Sequence, residues 1–523
     1  VKPGAPPQFG SNDMHDMQHL SAIDSAFLHL ETAQMPMHVA SLHRYRLARG
    51  YRGNWVDDVR AHLATRLHLA PVFTRKLALM PLDLANPVWI EDDDIDLHYH
   101  VRHTVLPEPG TQAQFEALAA QLHGDLLDRA RPLWQFHVIE GLTDGSIGFY
   151  AKVHHAAVDG QAGVLLNQAM LDFSPEPRQV KPPRKPLGTG EPLGAATLLG
   201  STLANTWRQL GIVSGAVRPL GKALLHRARE SIADGSFSLD GLRQRLARPP
   251  ATPFNVQVSD ERALAALSLP LEQVKRLGKA HGASINDVVL WLCSTALRQY
   301  LNDRGELPAA SLVAGVPVSL REPGDTRMDN QVTMSLVHLA TQQAQPLQRL
   351  RQIQQATASM KDTMAIFGPL LPTDMPSLGA PWLLRAVGAL ASRTALAERL
   401  RLASVVVSNV PGSPRPLYLA GAKMLDYVPV SIAVHGVALN ITVMSYIGQL
   451  CFGLIACRHA VPDLHRITQH LQDALATLSA LPRPDSAAAP PSAPATETPR
   501  TQRPRAAAKA ARPHPPSSSK EAP

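Results

Sequence analysis

The stretch "AKVHHAAVDGQAG", residues 151–163, sets His154 and His155 side by side, with Asp159 and Gly160 shortly after them. Two adjacent imidazoles can bind a metal, fill a core or handle a proton. Metal binding is poorly served, because neighbours at a strand end point to opposite faces and no HExxH, HxH or second His/Cys pair stands nearby. Core filling requires a buried partner for each ring and costs desolvation for little packing gain. Proton handling suits the pattern: one imidazole at a cleft accepts a proton near neutral pH and its neighbour orients it. The aspartate then locks the loop, and Gly160 lets the chain turn sharply.

Such a device needs rigid elements on both sides. "PLWQFHVIEGL" and "SIGFYAKVHH" read as two strands joined by a turn at Asp144 and Gly145, and "GVLLNQAMLDF" has helical periodicity, so the histidines sit on a loop between strand and helix. Upstream, "HVASLHRYRL" alternates like a strand. "WVDDVRAHLATRLHLAPVF" reads as a helix ended by Pro71, and "FEALAAQLHGDLLD" as a second amphipathic helix. Downstream, "SPEPRQVKPPRKPLGTGEPLG" is a Pro-rich basic linker. Residues 194–230 then read either as a helical connector or as an interfacial helix leaning on lipid.

A second dense region runs from Thr252 to Leu478. It holds helices in "LEQVKRLGKAHGA", "SINDVVLWLCSTALRQYL" and "LQRLRQIQQATASMKDT", and strands in "SLVAGVPVSLR", "ASVVVSNV", "ALNITVMSYIG" and "QLCFGLIAC". Ser284 followed by Asp287 is a helix N-terminus signal. The expected fold class is α/β, two halves with a substrate cleft between them. The expected division is a disordered extension over 1–18, a first half over 19–178, linker and connector over 179–250, a second half over 251–480 and a disordered tail over 481–523.

The 523 residues, 45% of them hydrophobic, suffice for two cores. Cys293, Cys451 and Cys457 are odd in number and lack zinc-like spacing, which implies neither a disulfide framework nor a structural metal and fits a reducing cytoplasm. The formal charge is +8. Part of that excess lies in the Pro/Ala/Ser-rich tail from Pro482, which has no aromatic residue to stack on bases, so a nucleic-acid partner is not expected. We find no signal-peptide pattern and no apolar run of about 18 residues, so neither export nor a membrane span is expected. The chain opens on Val1, and translation starting at Met14 or Met17 is one expectation.

"HHAAVDG" matches the HHxxxDG signature of the CoA-dependent acyltransferase superfamily, which includes chloramphenicol acetyltransferase, plant acyltransferases and peptide synthetase condensation domains. "LSAIDSAFLHLETAQMPMHVA", "PLWQFHVIEGL", "NDVVL", "VPVSLR", "SNVPG" and "ALNITVMSYIGQLCFGL" follow in the order of the bacterial wax ester synthase/diacylglycerol acyltransferase family, which the chain resembles over residues 19–475. One departure is "RMDNQVT", where Asn330 is kept but Asp329 replaces the family's usual Gly.

The resemblance implies two chloramphenicol-acetyltransferase-like halves with an active-site cleft or tunnel. It also implies transfer of a fatty acyl group from acyl-CoA, a substrate rather than a bound cofactor, to diacylglycerol or a long-chain alcohol. His155 would be the general base, later protonating the CoA thiolate, with no acyl-enzyme. His154 would be structural, and Asp159, beside Gly160, would pair with an arginine. Asn286 would donate to the oxyanion or merely cap its helix, and Asp287 would fix a loop or face substrate. Trp134 would lie in the core or line the acyl channel. Ser408 and Asn409, with Gly412, would touch substrate or shape the crossover between the halves. A cytoplasmic protein docking peripherally on the inner membrane face and lipid droplets is expected, through residues 194–230 or 364–393. A carrier-protein-dependent acyltransferase and a non-catalytic lipid-binding homologue are the alternatives.

Overall fold

The computed structural model describes residues 18–78, 87–92, 94–158, 160–183, 248–319, 332–367 and 401–482. In chain order the strands of the first half are β1 (Gln18–His19), β2 (His38–Arg46), β3 (Arg75–Ala78), β4 (Val88–Glu91), β5 (Val101–Val105), β6 (Trp134–Glu140) and β7 (Ile147–His154). They are followed by β8 (Arg262–Pro270), β9 (Val313–Ser319), β10 (Val332–His338), β11 (Val405–Val410), β12 (Tyr418–Leu419), β13 (Ala422–Met424), β14 (Val428–Val430), β15 (Leu439–Tyr446) and β16 (Gln449–Cys457). The helices are α1 (Ala22–Leu30), α2 (Trp55–Ala64), α3 (Leu97–His100), α4 (Gln112–Gly124), α5 (Gly160–Met170), α6 (Leu271–Ala280), α7 (Ile285–Asp303), α8 (Pro346–Phe367) and α9 (His465–Ala480).

Two large sheets organise the described chain. The first has the order β12-β13-β2-β7-β6-β5, with β14 also pairing β2, and the second has the order β10-β9-β11-β15-β16-β8. Strand β7 has two working faces, because its side chains alternate. Phe149, Ala151 and Val153 enter an aromatic-rich core with Trp55, Trp134 and Phe136. Lys152 and His154 go to the other face and are buried there.

Against that second face lies α4, whose Phe115 and Ala119 share a cluster with Leu42 and Tyr150 of the first sheet and Leu264 and Ile455 of the second. A capping box starts α4, Thr111 accepting from the Gln114 N–H while the Gln114 side chain accepts from the Thr111 N–H. The helix ends at Gly124 rather than running through "DLLD", since Asp125 turns extended. Likewise α2 stops at Ala64, and the chain continues as two short 3-10 turns on either side of Ala70.

The second sheet is covered by α7 and α9. Val288 to Leu292 of α7 are fully buried, so an entire helical turn faces apolar neighbours. Deleting one such side chain costs about 2–5 kcal/mol. Three strands over residues 418–430 leave this half and add to the first sheet, β13 and β14 both pairing β2. The crossing begins just after Gly412, where a Cβ would overlap the Ser445 carbonyl, so only glycine fits.

Several sequence expectations fall outside the described residues. These are the terminal extensions, the 194–230 connector, most of 364–393, Asp329, Asn330 and Asp159.

Candidate active site

His154 is the last residue of β7 and is fully buried. Its N–H donates to Leu133 O at 2.9 Å, and its cross-strand partner on β2 is His38. The imidazole Nδ1 accepts the Ala156 N–H at 3.0 Å. That bond leaves the ring proton on Nε2, which donates to Glu31 Oε1 at 3.1 Å. A backbone turn and a carboxylate therefore fix both the tautomer and the ring plane.

The Glu31 side chain is itself buried and multiply held. Oε1 also accepts from the Met37 N–H at 3.2 Å, and Oε2 accepts from Arg129 Nη2 at 2.8 Å and Nε at 3.2 Å. Burial alone would raise its carboxyl, but the His154 imidazole and the Arg129 guanidinium outweigh that and hold it at about 2. Arg129 is in turn anchored by donating to Leu28 O at 2.6 Å.

His155 stands differently. It is half-buried, its N–H donates to Met37 O at 2.8 Å, and its ring stacks on Phe27 with centroids 4.1 Å apart and planes 11° off parallel. Phe27 and Glu31 lie one helical turn apart at the end of α1, so a single face of this helix addresses both histidines. The result is one imidazole locked in an ionic network and a neighbour stacked on an aromatic ring.

The remaining expected residues are distributed as follows. Asp287 closes a capping box on α7, Oδ2 accepting from Ser284 N–H at 2.8 Å and Ser284 Oγ at 2.7 Å, while Oδ1 accepts from Thr357 Oγ1 at 2.6 Å. Both carboxylate oxygens are thus engaged by protein donors, the pattern of a fixing residue. Asn286, beside it, is half-buried. The flanking Ala283 and Ile285 belong to the same hydrophobic cluster as Phe27 and Met37, which brings the start of α7 and the histidine turn onto one shared apolar body. Trp134 is wholly buried: its indole N–H donates to Phe73 O at 3.2 Å, and its ring stacks on His100 at 4.1 Å. Ser408 and Asn409 lie on β11 opposite Thr442 and Val443 of β15, Ser408 half-buried and Asn409 exposed. Gly160 is the first residue of α5.

The profile of the wax ester synthase/diacylglycerol acyltransferase catalytic domain matches residues 20–289, and that of the WS/DGAT C-terminal domain matches residues 328–479. The chain belongs to the wax ester synthase/diacylglycerol acyltransferase family. It is 33% identical over 460 residues to an O-acyltransferase of Acinetobacter baylyi, covering 87% of this chain and 96% of that one. A Mycobacterium tuberculosis protein provisionally named as a diacylglycerol O-acyltransferase is 36% identical over 463 residues, 88% of this chain and 99% of that one. Among solved structures, the wax ester synthase/diacylglycerol acyltransferase of Marinobacter aquaeolei VT8 aligns with a TM-score of 0.63 at 30% identity, over 88% of this chain and 99% of that one. The starter condensation domain of rhizomide synthetase, solved with C8-CoA, aligns with a TM-score of 0.55 at 14% identity and shares the fold.

This wax ester synthase/diacylglycerol acyltransferase family chain is therefore an O-acyltransferase. Its catalytic-domain match extends into α7 and so includes Asn286. Glu31, Arg129 and Phe27 escaped the sequence reading, although "AFLHLE" carried a usable signal: Phe27 and Glu31 share a helix face. A groove of about 620 Å³ opens between β5, α4 and the start of β8, lined by Gln121, Asp125, Arg262 and Arg458 among others, but not by the histidines. Among the described residues no cluster of three or more His, Cys, Asp or Glu side chains can hold a metal ion.

Proposed function

We propose that His155 is the general base of an acyl transfer from acyl-CoA to the hydroxyl of diacylglycerol or a long-chain alcohol. The observation that supports it most directly is the difference in burial within the motif pair: His154 is fully buried, its ring fixed by Glu31 and Ala156, while the His155 ring, stacked on Phe27, is only half-buried. An alcohol attacks a thioester poorly until its proton has somewhere to go. His155 takes that proton as the C–O bond forms, and the carbonyl becomes an oxyanion. Asn286 is the side chain we assign to that oxyanion. Collapse breaks the C–S bond, and His155 returns the proton to the CoA thiolate. No covalent enzyme intermediate is needed, and Cys293, whose thiol burial pushes up to about 12, is unsuited to form one.

Both acceptors are lipids, so the enzyme must meet a membrane or droplet surface. No helix among the described residues is long and apolar enough to cross a bilayer. We assign peripheral, salt-weakened attachment, and flotation with anionic vesicles containing diacylglycerol tests it; protein that stays wholly unbound overturns that assignment. The decisive experiment on function is thiol release from palmitoyl-CoA offered diolein, hexadecanol or no acceptor. Acceptor-dependent release supports the reading. Release unaffected by either acceptor, or none at all, overturns it and favours a carrier-protein thioester donor or a purely lipid-binding role.

A further inference from the structure

Two residues before His154, on the same face of β7, a lysine is completely buried. Lys152 Nζ donates to Leu122 O and to Asp125 O, both at 2.8 Å. These carbonyls belong to the end of α4, where the backbone turns extended at Asp125, with φ −76° and ψ 129°. A helix end leaves its last carbonyls without intrahelical donors, and here the sheet supplies them. His38, the cross-strand partner of His154, takes a third one, its Nε2 meeting His123 O at 2.7 Å. Two basic side chains beneath the histidine pair thus cap α4.

The segment after α4 leads straight back to the site. Leu127 is buried in a small cluster with Leu28 and Ala156, the latter two residues beyond His154. Arg129 then holds Leu28 O and Glu31, and Glu31 holds His154. Residues 125, 127 and 129 are each pinned to the body that carries the pair, so the segment is a short taut strap between Lys152 and Glu31. Burying a cation is costly, and burial pulls the Lys152 amine down to about 8.

We propose that Lys152 is a positioning residue for acyl transfer: by capping α4 it sets the 125–129 strap, hence Arg129, hence the Glu31 carboxylate that orients His154. The proposal rests on the acyltransferase reading above. An amine at this point does what an apolar residue of equal length cannot, because two of its N–H groups satisfy two helix-end carbonyls at once.

The test is a double-mutant cycle with Glu31, read together with hydrogen exchange. Lys152→Met should lower kcat about tenfold with the KM for palmitoyl-CoA changed by less than about twofold, the size of effect expected from a small displacement of a catalytic group. Lys152→Arg should restore most of the loss. In a Glu31→Gln background, Lys152→Met should cost almost nothing further, since both act through one chain of contacts. Backbone exchange in Lys152→Met should rise over residues 122–130 and stay near wild type elsewhere. Additive losses in the cycle overturn the proposal, as does unchanged exchange over 122–130 or an unchanged kcat in the folded variant. If Lys152→Met fails to fold, Lys152→Gln, which cannot reach both carbonyls, replaces it in the same cycle with Glu31→Gln, and additivity there overturns the proposal equally. Wild-type protein inactive with every acceptor overturns the functional reading alone, because the exchange measurement judges the strap by itself.

Discussion

The two halves spend their buried polar groups differently. Every buried histidine among the described residues lies in the first half: His29, His38, His43, His62, His100, His123, His137 and His154. With them are a buried lysine and the Arg66–Asp172 pair, bidentate at 3.0 and 2.8 Å. Among the described residues the second half buries mainly serine, threonine and asparagine around a large apolar cluster, together with Arg262 and Arg349, and its one buried carboxylate there, Asp287, is absorbed in a helix cap. The contrast amounts to a division of labour. Buried histidines are concentrated in the half that carries the motif, and the opposing half, with Arg262 and Arg349 as its buried cations, is otherwise a quiet apolar wall.

That division is tested hardest at His155. His155→Ala should lower kcat by about 10²- to 10⁴-fold with the circular dichroism spectrum and Tm nearly unchanged, since the ring is half-buried and its backbone bond to Met37 O survives. Near-wild-type turnover in the folded variant would move the proton chemistry elsewhere. Asn286→Ala probes the quiet wall at its single catalytic assignment. Loss of an oxyanion donor should reduce kcat about 10²-fold with little change in KM, and an unaltered kcat would reduce Asn286 to a helix-start residue.

Much of this arrangement is legible in the chain itself. The strand, turn and helix around the histidines follow from alternation in "SIGFYAKVHH" and from 3.6-residue periodicity after it, and β7 ends at His154 with α5 starting at Gly160. The Ser284–Asp287 cap is local, so spacing alone finds it. Glu31 escapes such a reading because its partner lies far along the chain, and no periodicity couples residues that meet only when β2, β7 and α1 assemble. The strands over 418–430 escape it for a related reason: they are very short and owe their place to pairing with β2 rather than to their own pattern. Lys152 alternates correctly as an outward strand residue, and only α4 lying across it makes it buried.

Glu31→Gln probes the same contrast at intermediate cost. We expect about a tenfold lower kcat, the imidazole of His154 losing its ionic partner. The pH response has a definite sign. The Glu31 carboxyl is held at about 2, below its usual 4.5, so its contribution to stability is complete above about pH 4.5 and is lost as pH falls through 2. The span is worth on the order of 3 kcal/mol. Wild type should therefore lose stability across this window more steeply than Glu31→Gln in acid titration followed by circular dichroism. Parallel curves would remove the ionic network from the account.

The smallest effect is expected at Ser284. Its hydroxyl accepts the Asp287 N–H at 3.2 Å and donates to Oδ2 at 2.7 Å, so Ser284→Ala removes half of the capping box. Loss of such a cap costs about 1 kcal/mol of stability. Asp287 nevertheless retains the Ser284 N–H and the Thr357 hydroxyl, and Val288 to Leu292 remain packed with no exposed surface. The first turn of α7 should therefore stay in place, and kcat should change by less than about twofold while Tm falls by roughly 1 °C. Thermal unfolding and steady-state thiol release measure the two quantities separately. If Ser284→Ala slowed turnover as much as Asn286→Ala does, the second half would be no rigid wall, and the position of Asn286 would depend on its cap rather than on the apolar body behind it.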